Sequence, residues 1–139
     1  MVELNNGEKK VLFGGDSIVV RQYISGAEGG RALDMTDFGA VELTNVVKAG
    51  TFIIKDSDGT YKPAPIKKDG EGNIVIDDSK FVASKVVGIL VATINGKIDG
   101  AGIMTAGRVN KAVLPYGGTA KVADVKSVLS HIEFMEDGE

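Results

Sequence analysis

The chain has 139 residues, with 16 basic and 19 acidic side chains, 19 glycines, one histidine and no cysteine. Its length favours one domain with a sizeable core, and the missing cysteine excludes disulfides, thiolate metal sites and thiol catalysis. The net charge of −3 argues against nucleic acid as the main partner. No apolar run reaches signal-peptide or membrane-helix length, so we expect a soluble chain without an export signal or a membrane partner.

The chain is predicted to divide into an extended N-terminal arm, residues 1–30, and a β-rich domain, residues 31–139. Within the arm, the segment from Ser17 to Ile24 is rich in β-branched residues and predicts a strand. Residues 25–39 hold four glycines and predict a loop. Elsewhere glycines fall singly between short apolar runs, which is typical of a mainly β chain with tight turns.

Short apolar runs predict the strands of the β-rich domain. In chain order these lie in 40–54, in 73–76, in 81–94 as two pieces, in 101–106 and in 109–114. Gly107 separates the last two, and Asn95-Gly96 predicts a two-residue turn because both positions tolerate positive φ. Lys67-Lys68, which acidic residues flank, is interpreted as a solvated loop.

The pattern near the C-terminus predicts the only helix of the chain. Thr119 is placed to cap it, and apolar residues recur at three- and four-residue spacing over Val122, Val125, Leu129 and Ile132. After the helix, Ile132-Glu133-Phe134 predicts a short strand. The fold class is therefore mainly β with one short C-terminal α-helix, and we expect a small β-barrel or β-tulip domain after the arm.

The sequence offers no persuasive catalytic constellation. His131 is predicted near the end of the helix, and the neighbouring Ser130 would diverge from it there. Paired carboxylates for glycoside chemistry stay open, but the acidic residues sit in turn-like stretches, which turn chemistry explains. These stretches are Asp56-Ser57-Asp58, Asp69-Gly70-Glu71 and Asp77-Asp78. We expect no enzyme and no catalytic, cofactor or metal site.

The stretch Asp56-Ser57-Asp58-Gly59 has two interpretations, a calcium loop or the tip of a β-hairpin. A calcium loop spans twelve residues and ends in a bidentate glutamate. Counted from Asp56, the seventh position is Lys62 and the twelfth is Lys67, and both are cations. Asp58-Gly59 is a strong turn pair between apolar runs. The hairpin is therefore the preferred prediction.

The order of these weak signals over residues 41–135 resembles bacteriophage head decoration proteins of the lambda type. The resemblance runs through VKAGTFIIKDSDGTYKPA (47–64), FVASKVVGILVATI (81–94), AGIMTAGRVNKAVLP (101–115) and ADVKSVLSHIEF (123–134). Within them lie the landmarks Gly88-Ile89-Leu90, Met104 to Val109, Ala112-Val113-Leu114-Pro115 and Ile132-Glu133-Phe134. The first 40 residues match only in their likeness to an extended arm.

This resemblance implies a non-catalytic trimer that binds the outer surface of an expanded capsid at local threefold positions and stabilises the shell. Its partners would be the major capsid protein and two copies of itself, without cofactor or small-molecule substrate, and it would be made in the host cytoplasm. Candidate shell contacts in the arm are Val11, Leu12, Phe13, Ile18, Val20 and Tyr23. The alternatives are another virion module (a head-fibre base, tail or baseplate domain), a small ligand-binding β-barrel and a hydrolase with paired acids.

Overall fold

Ten short strands form most of the regular structure in residues 19–26 and 31–136, the residues that the computed structural model describes. The strands are β1 (Val20–Gly26), β2 (Val46–Val47), β3 (Phe52–Lys55), β4 (Tyr61–Pro63), β5 (Ile66–Lys68), β6 (Ile74–Ile76), β7 (Val86–Leu90), β8 (Ile94–Asn95), β9 (Ile103–Asn110) and β10 (Ile132–Met135). Two one-turn helices, α1 (Phe38–Val41) and α2 (Val122–Val125), and 3₁₀ turns at Ala83–Lys85, Lys111–Val113 and Pro115–Lys121 complete it. The predicted fold class, mainly β with a short helix near the C-terminus, is confirmed.

The main sheet has six strands and is built around β9. Its order is β1-β9-β7-β3-β4, and β10 also pairs with β9, in parallel. Strand β1 lies along one edge of β9, while β7 and β10 follow each other along the opposite edge. Two ribbons, β2–β8 and β5–β6, lie beside this sheet. These sheets are not closed into a barrel, so the barrel detail of the prediction is not confirmed.

The core surrounds the middle strands of the main sheet. Consecutive residues of β3, Phe52, Ile53 and Ile54, are all buried, so both faces of that strand are covered. The largest fully buried side chains are Phe52, Ile53, Ile89, Leu90, Ile103, Met104, Val47, Val109 and Val125. This packed centre fixes the positions of the edge strands and turns around it.

The predicted division of the strand after residue 100 is wrong, because β9 is continuous through Gly107. A side chain there would meet β1, since a Cβ atom on Gly107 would lie 2.3 Å from the carbonyl oxygen of Gln22. The glycine therefore permits close pairing of two strands and does not end one.

The solvated loop predicted at Lys67-Lys68 is also wrong. Both lysines are exposed, but they belong to β5, which pairs with β6.

The two-residue turn predicted at Asn95-Gly96 is wrong, because neither residue has a positive φ. Asn95 ends β8 instead, and its side-chain oxygen accepts a hydrogen bond from the backbone N–H of Lys97 at 3.0 Å. Its carbonyl accepts from the backbone N–H of Asp99 at 2.8 Å. Asparagine chemistry still makes the turn, but the turn is wider than predicted.

The helix near the C-terminus is shorter than predicted and Thr119 does not cap it. Thr119 lies in the 3₁₀ segment Pro115–Lys121, and its hydroxyl donates to the carbonyl of Lys111 at 2.6 Å. Left-handed conformations at Tyr116 and Gly117 kink this segment, so the α-helix starts only at Val122. The predicted apolar spacing is confirmed as a core face, because Val125, Leu129 and Ile132 are buried.

The segment assigned to the arm reaches into the main sheet. Its described part includes β1, which pairs with β9 from Val20 to Gly26, and Val19, which is buried. The strand predicted from Ser17 to Ile24 is thus found from Val20 onward. Within the described residues, no helix is long and apolar enough to cross a membrane.

Candidate interaction surface

Strand β1 presents an exposed edge at one end of the main sheet. Among the described residues it pairs with β9 alone, so its other edge faces away from the sheet. The residues from Arg21 to Ser25 are exposed on both faces of the strand. Two of them are large and apolar, Tyr23 at 53% and Ile24 at 61% exposure. An exposed edge with apolar side chains is a template for pairing with another chain.

Close backbone packing holds β1 on the sheet at both ends. At the first end, a Cβ atom on Gly50 would lie 2.5 Å from a methyl carbon of the buried Val19. At the other end, a Cβ atom on Gly26 would lie 2.2 Å from the carbonyl oxygen of Ile103. Register shifts against β9 interrupt the pairing between these ends. The exposed middle of β1 is therefore fixed in position by anchors on either side.

The predicted shell contacts divide between the described residues and the rest. Tyr23 is exposed, whereas Val20 is half-buried and packs against the core. Sequence reasoning missed Ile24, because strand periodicity does not show that β1 lies at the end of a sheet. The remaining candidates, Val11, Leu12, Phe13 and Ile18, lie outside the described residues.

The acidic stretches serve as turn acceptors. The backbone N–H of Thr60 donates to Asp58, that of Glu71 to Asp69 and that of Ser79 to Asp77, at 2.8–3.1 Å. The hydrogen bonds from Thr60 and Glu71 lower the pKa of Asp58 and Asp69. The pKa of Asp77 is lowered mainly by the Ser79 hydroxyl, which donates to the same carboxylate at 2.7 Å, and further by the Ser79 N–H. Turn chemistry therefore accounts for Asp58, Asp69 and Asp77, whereas the carboxylate of Asp78 forms an ion pair with Lys121.

The hairpin at Asp56-Ser57-Asp58-Gly59 is confirmed. Strands β3 and β4 pair across it, and Gly59 takes a φ of +89° at its tip. The Asp56 carboxylate lies 2.7 Å from the ammonium of Lys62 and 3.5 Å from that of Lys85. The hydrogen bond from Lys62 is the main cause that lowers the pKa of Asp56. This carboxylate is paired with side chains of its own chain.

Asp56 and both lysines line a cleft of about 200 Å³ whose other walls include the apolar residues Phe38 and Ile54. Opposite charges pair inside it. Within the described residues, no group of three histidine, cysteine, aspartate or glutamate side chains could hold a metal ion.

His131 lies in the turn before β10, where its carbonyl accepts a hydrogen bond from the backbone N–H of Gly107 at 3.1 Å.

Comparisons with known protein families, with characterised proteins and with solved structures give no match to this chain.

Proposed function

We propose that this chain is a bacteriophage capsid decoration protein. It binds the outer surface of the expanded head as a homotrimer at local threefold positions and stabilises the shell. The order of motifs over residues 41–135 supports this assignment. The exposed edge of β1 is the structural observation that carries it, because a cementing protein needs a fixed surface through which it joins other chains.

Strand β1 supplies both kinds of contact that such a surface needs. The outward main-chain groups of the segment from Gln22 to Ser25 offer hydrogen bonds to an extended segment of the major capsid protein, as in strand addition. Tyr23 and Ile24 offer apolar area beside that edge. The other predicted contacts, Val11, Leu12, Phe13 and Ile18, precede β1 in the sequence and lie outside the described residues.

Attachment through three copies makes weak contacts sufficient. When one subunit of a trimer binds, the next contact becomes intramolecular, and overall avidity exceeds single-site affinity by about 10²–10⁴. The proposed decoration function is a binding role and requires no catalytic reaction. The engagement of Asp56, Asp58, Asp69 and Asp77 in turns and ion pairs of their own chain agrees with a structural role.

The experiment is co-sedimentation of the protein with expanded, undecorated heads of the phage that encodes it. The wild-type protein should sediment with the heads and saturate at a fixed ratio to the capsid protein. A double variant, Tyr23→Ser with Ile24→Ser, should bind at least about tenfold more weakly, because a few anchors, tyrosine prominent among them, carry most of the binding energy of an interface.

The matched control is Val113→Ser with Val128→Ser, which removes apolar side chains that are each 42% exposed elsewhere on the surface. The control should bind like the wild type. Equal loss in both double variants would reject β1 as the contact, and wild-type protein that does not sediment with the heads would reject the proposed function.

A further inference from the structure

Two aliphatic side chains project from neighbouring turns at one end of the β2–β8 ribbon. Ile98 is 80% exposed and Leu43 is 76% exposed, the highest values among the large hydrophobic residues in the described ranges. The ribbon pairs Val46 with Asn95, and the backbone N–H of Gly96 donates to the carbonyl of Asn45 at 2.8 Å. The turn that carries Leu43 therefore lies next to the turn that carries Ile98.

Hydrogen bonds hold both turns in fixed shapes. In the first turn, the backbone N–H of Asn45 donates to the carbonyl of Glu42 at 3.0 Å, and the Thr44 hydroxyl donates to the Glu42 carboxylate at 2.9 Å. In the second, the backbone N–H of Asn95 donates to the carboxylate of Asp99 at 3.0 Å. Turns that are already held in one shape lose little backbone freedom on binding, which favours a specific protein contact.

A hollow of about 540 Å³ lies beside these turns. It is lined by Leu33, Asp34, Met35, Thr36, Gly39, Ala40, Asn45 and Lys97. Asn45 and Lys97 belong to the same two turns, so the projection and the hollow are contiguous on one surface. Leu33 and Met35, at 8% and 7% exposure, give the hollow an apolar part.

Opposite charges flank the projecting pair. Glu42 stands in the first turn and Lys97 in the second. Within residues 19–26 and 31–136 neither side chain takes part in an ion pair. Lys97 is exposed and Glu42 is half-exposed, so both charges are available to a partner.

We propose that this surface is the subunit interface of the trimer, with Leu43 and Ile98 of one copy entering the hollow of the next. Glu42 of one copy then faces Lys97 of its neighbour. A second copy of this chain fits the surface because each copy carries the projection, the hollow and both charges. Contacts of this head-to-tail kind close into a ring when the rotation permits. The inference rests on the proposed function, which requires a trimer, and it names the surface that builds it.

The first test measures solution mass by light scattering and sedimentation over a concentration series. The wild type should have three times the 14.5 kDa mass of one chain. Leu43→Asp with Ile98→Asp should give the mass of one chain at concentrations where the wild type is trimeric, with an unchanged circular dichroism spectrum. Val113→Asp with Val128→Asp, the matched control on other exposed valines, should stay trimeric.

The second test exchanges the charges. Glu42→Lys and Lys97→Glu should each weaken assembly by at least about tenfold, since each places like charges across the interface. The two changes together should restore the trimer, because they recreate the opposite pair in reverse. This rescue would not follow if either residue acted only on the fold of its own chain.

A monomeric or dimeric wild type, or a trimer that survives Leu43→Asp with Ile98→Asp, would overturn the inference. Equal dissociation in the valine control would overturn it as well. Binding to heads separates its failure from that of the proposed function. A Leu43→Asp, Ile98→Asp variant that stays trimeric and binds expanded heads would reject this interface alone, whereas wild-type trimers that do not bind expanded heads would reject the decoration function alone.

Discussion

Tyr116 is a buried tyrosine with a left-handed backbone, at a φ of +58°. Its hydroxyl donates to the carbonyl of Val46 at 3.4 Å and accepts from the backbone N–H of Lys48 at 3.3 Å. Its ring meets that of Phe38 edge-on, with the centroids 5.7 Å apart. A bulky residue adopts this conformation only where its surroundings enforce it. These contacts of Tyr116 hold the 3₁₀ segment Pro115–Lys121 against β2. No sequence motif indicated that this tyrosine would be buried there.

Burial raises the pKa of Tyr116 to about 12, from the usual 10.0. The folded chain therefore binds more protons than the unfolded chain between these values, and the stability conferred by the neutral phenol is lost as pH rises through that window. We expect a tyrosinate absorbance component near pH 12 that Tyr116→Phe removes. The variant should also lose less stability between pH 10 and 12. Superimposable titrations of variant and wild type would contradict this.

The lowered pKa of Asp56 predicts that folding stability is lost toward acid pH, the opposite of the effect of Tyr116. Its pKa in the folded chain lies below the usual 3.8, mainly because Lys62 donates a hydrogen bond to the carboxylate. The ionised pair therefore stabilises the fold above the unfolded pKa, and this contribution is lost as pH falls through the folded pKa. Urea unfolding at pH 6 and pH 3 should show a smaller acid-induced loss in Asp56→Asn than in the wild type. The exposed Asp124→Asn serves as control and should behave like the wild type.

At the scale of elements, the pairing of β1 with β9 depends on Gly107. A Cβ atom there would lie 2.3 Å from the Gln22 carbonyl oxygen and 2.5 Å from the sulfur of Met104. Gly107→Ala should therefore destabilise the protein by about 1–3 kcal/mol, the usual range for overpacking. Chemical denaturation measures the loss. Gly70→Ala, where an added Cβ meets nothing within 4 Å, is the control. Equal denaturation midpoints for the two variants would show that β1 can shift to accommodate the added methyl group without loss of stability.

Patterns local in sequence predicted local elements well. The hairpin tip at Asp58-Gly59 and the strand over Ile132-Glu133-Phe134 could be recognised because turn chemistry and apolar spacing act over a few residues. Features set by distant segments could not. Gly107 interrupts an apolar run in the sequence, and only its contact with β1 shows why the strand continues. Thr119 had the identity of a helix cap, but its hydroxyl bonds Lys111 instead.

On the scale of the whole molecule, we propose two separate surfaces, one for binding to the shell and one for contact between subunits. The edge of β1 contacts the shell, and the turns around Leu43 and Ile98 join the subunits. The sequence indicated the first surface through the strand-like segment and Tyr23, but it could not place that strand at the end of a sheet. The second depends on the adjacency of two turns about fifty residues apart, which only β2–β8 pairing reveals.

The most direct test of the decoration function compares binding to expanded and to unexpanded undecorated heads. The proposed function places the protein on the expanded head, so its binding should distinguish the two states. Electron microscopy of mixtures with each kind of head reads this out, with protein-free heads as the control. We predict added density at local threefold positions on expanded heads and none on unexpanded ones. Equal decoration of both states, or of neither, would contradict the account.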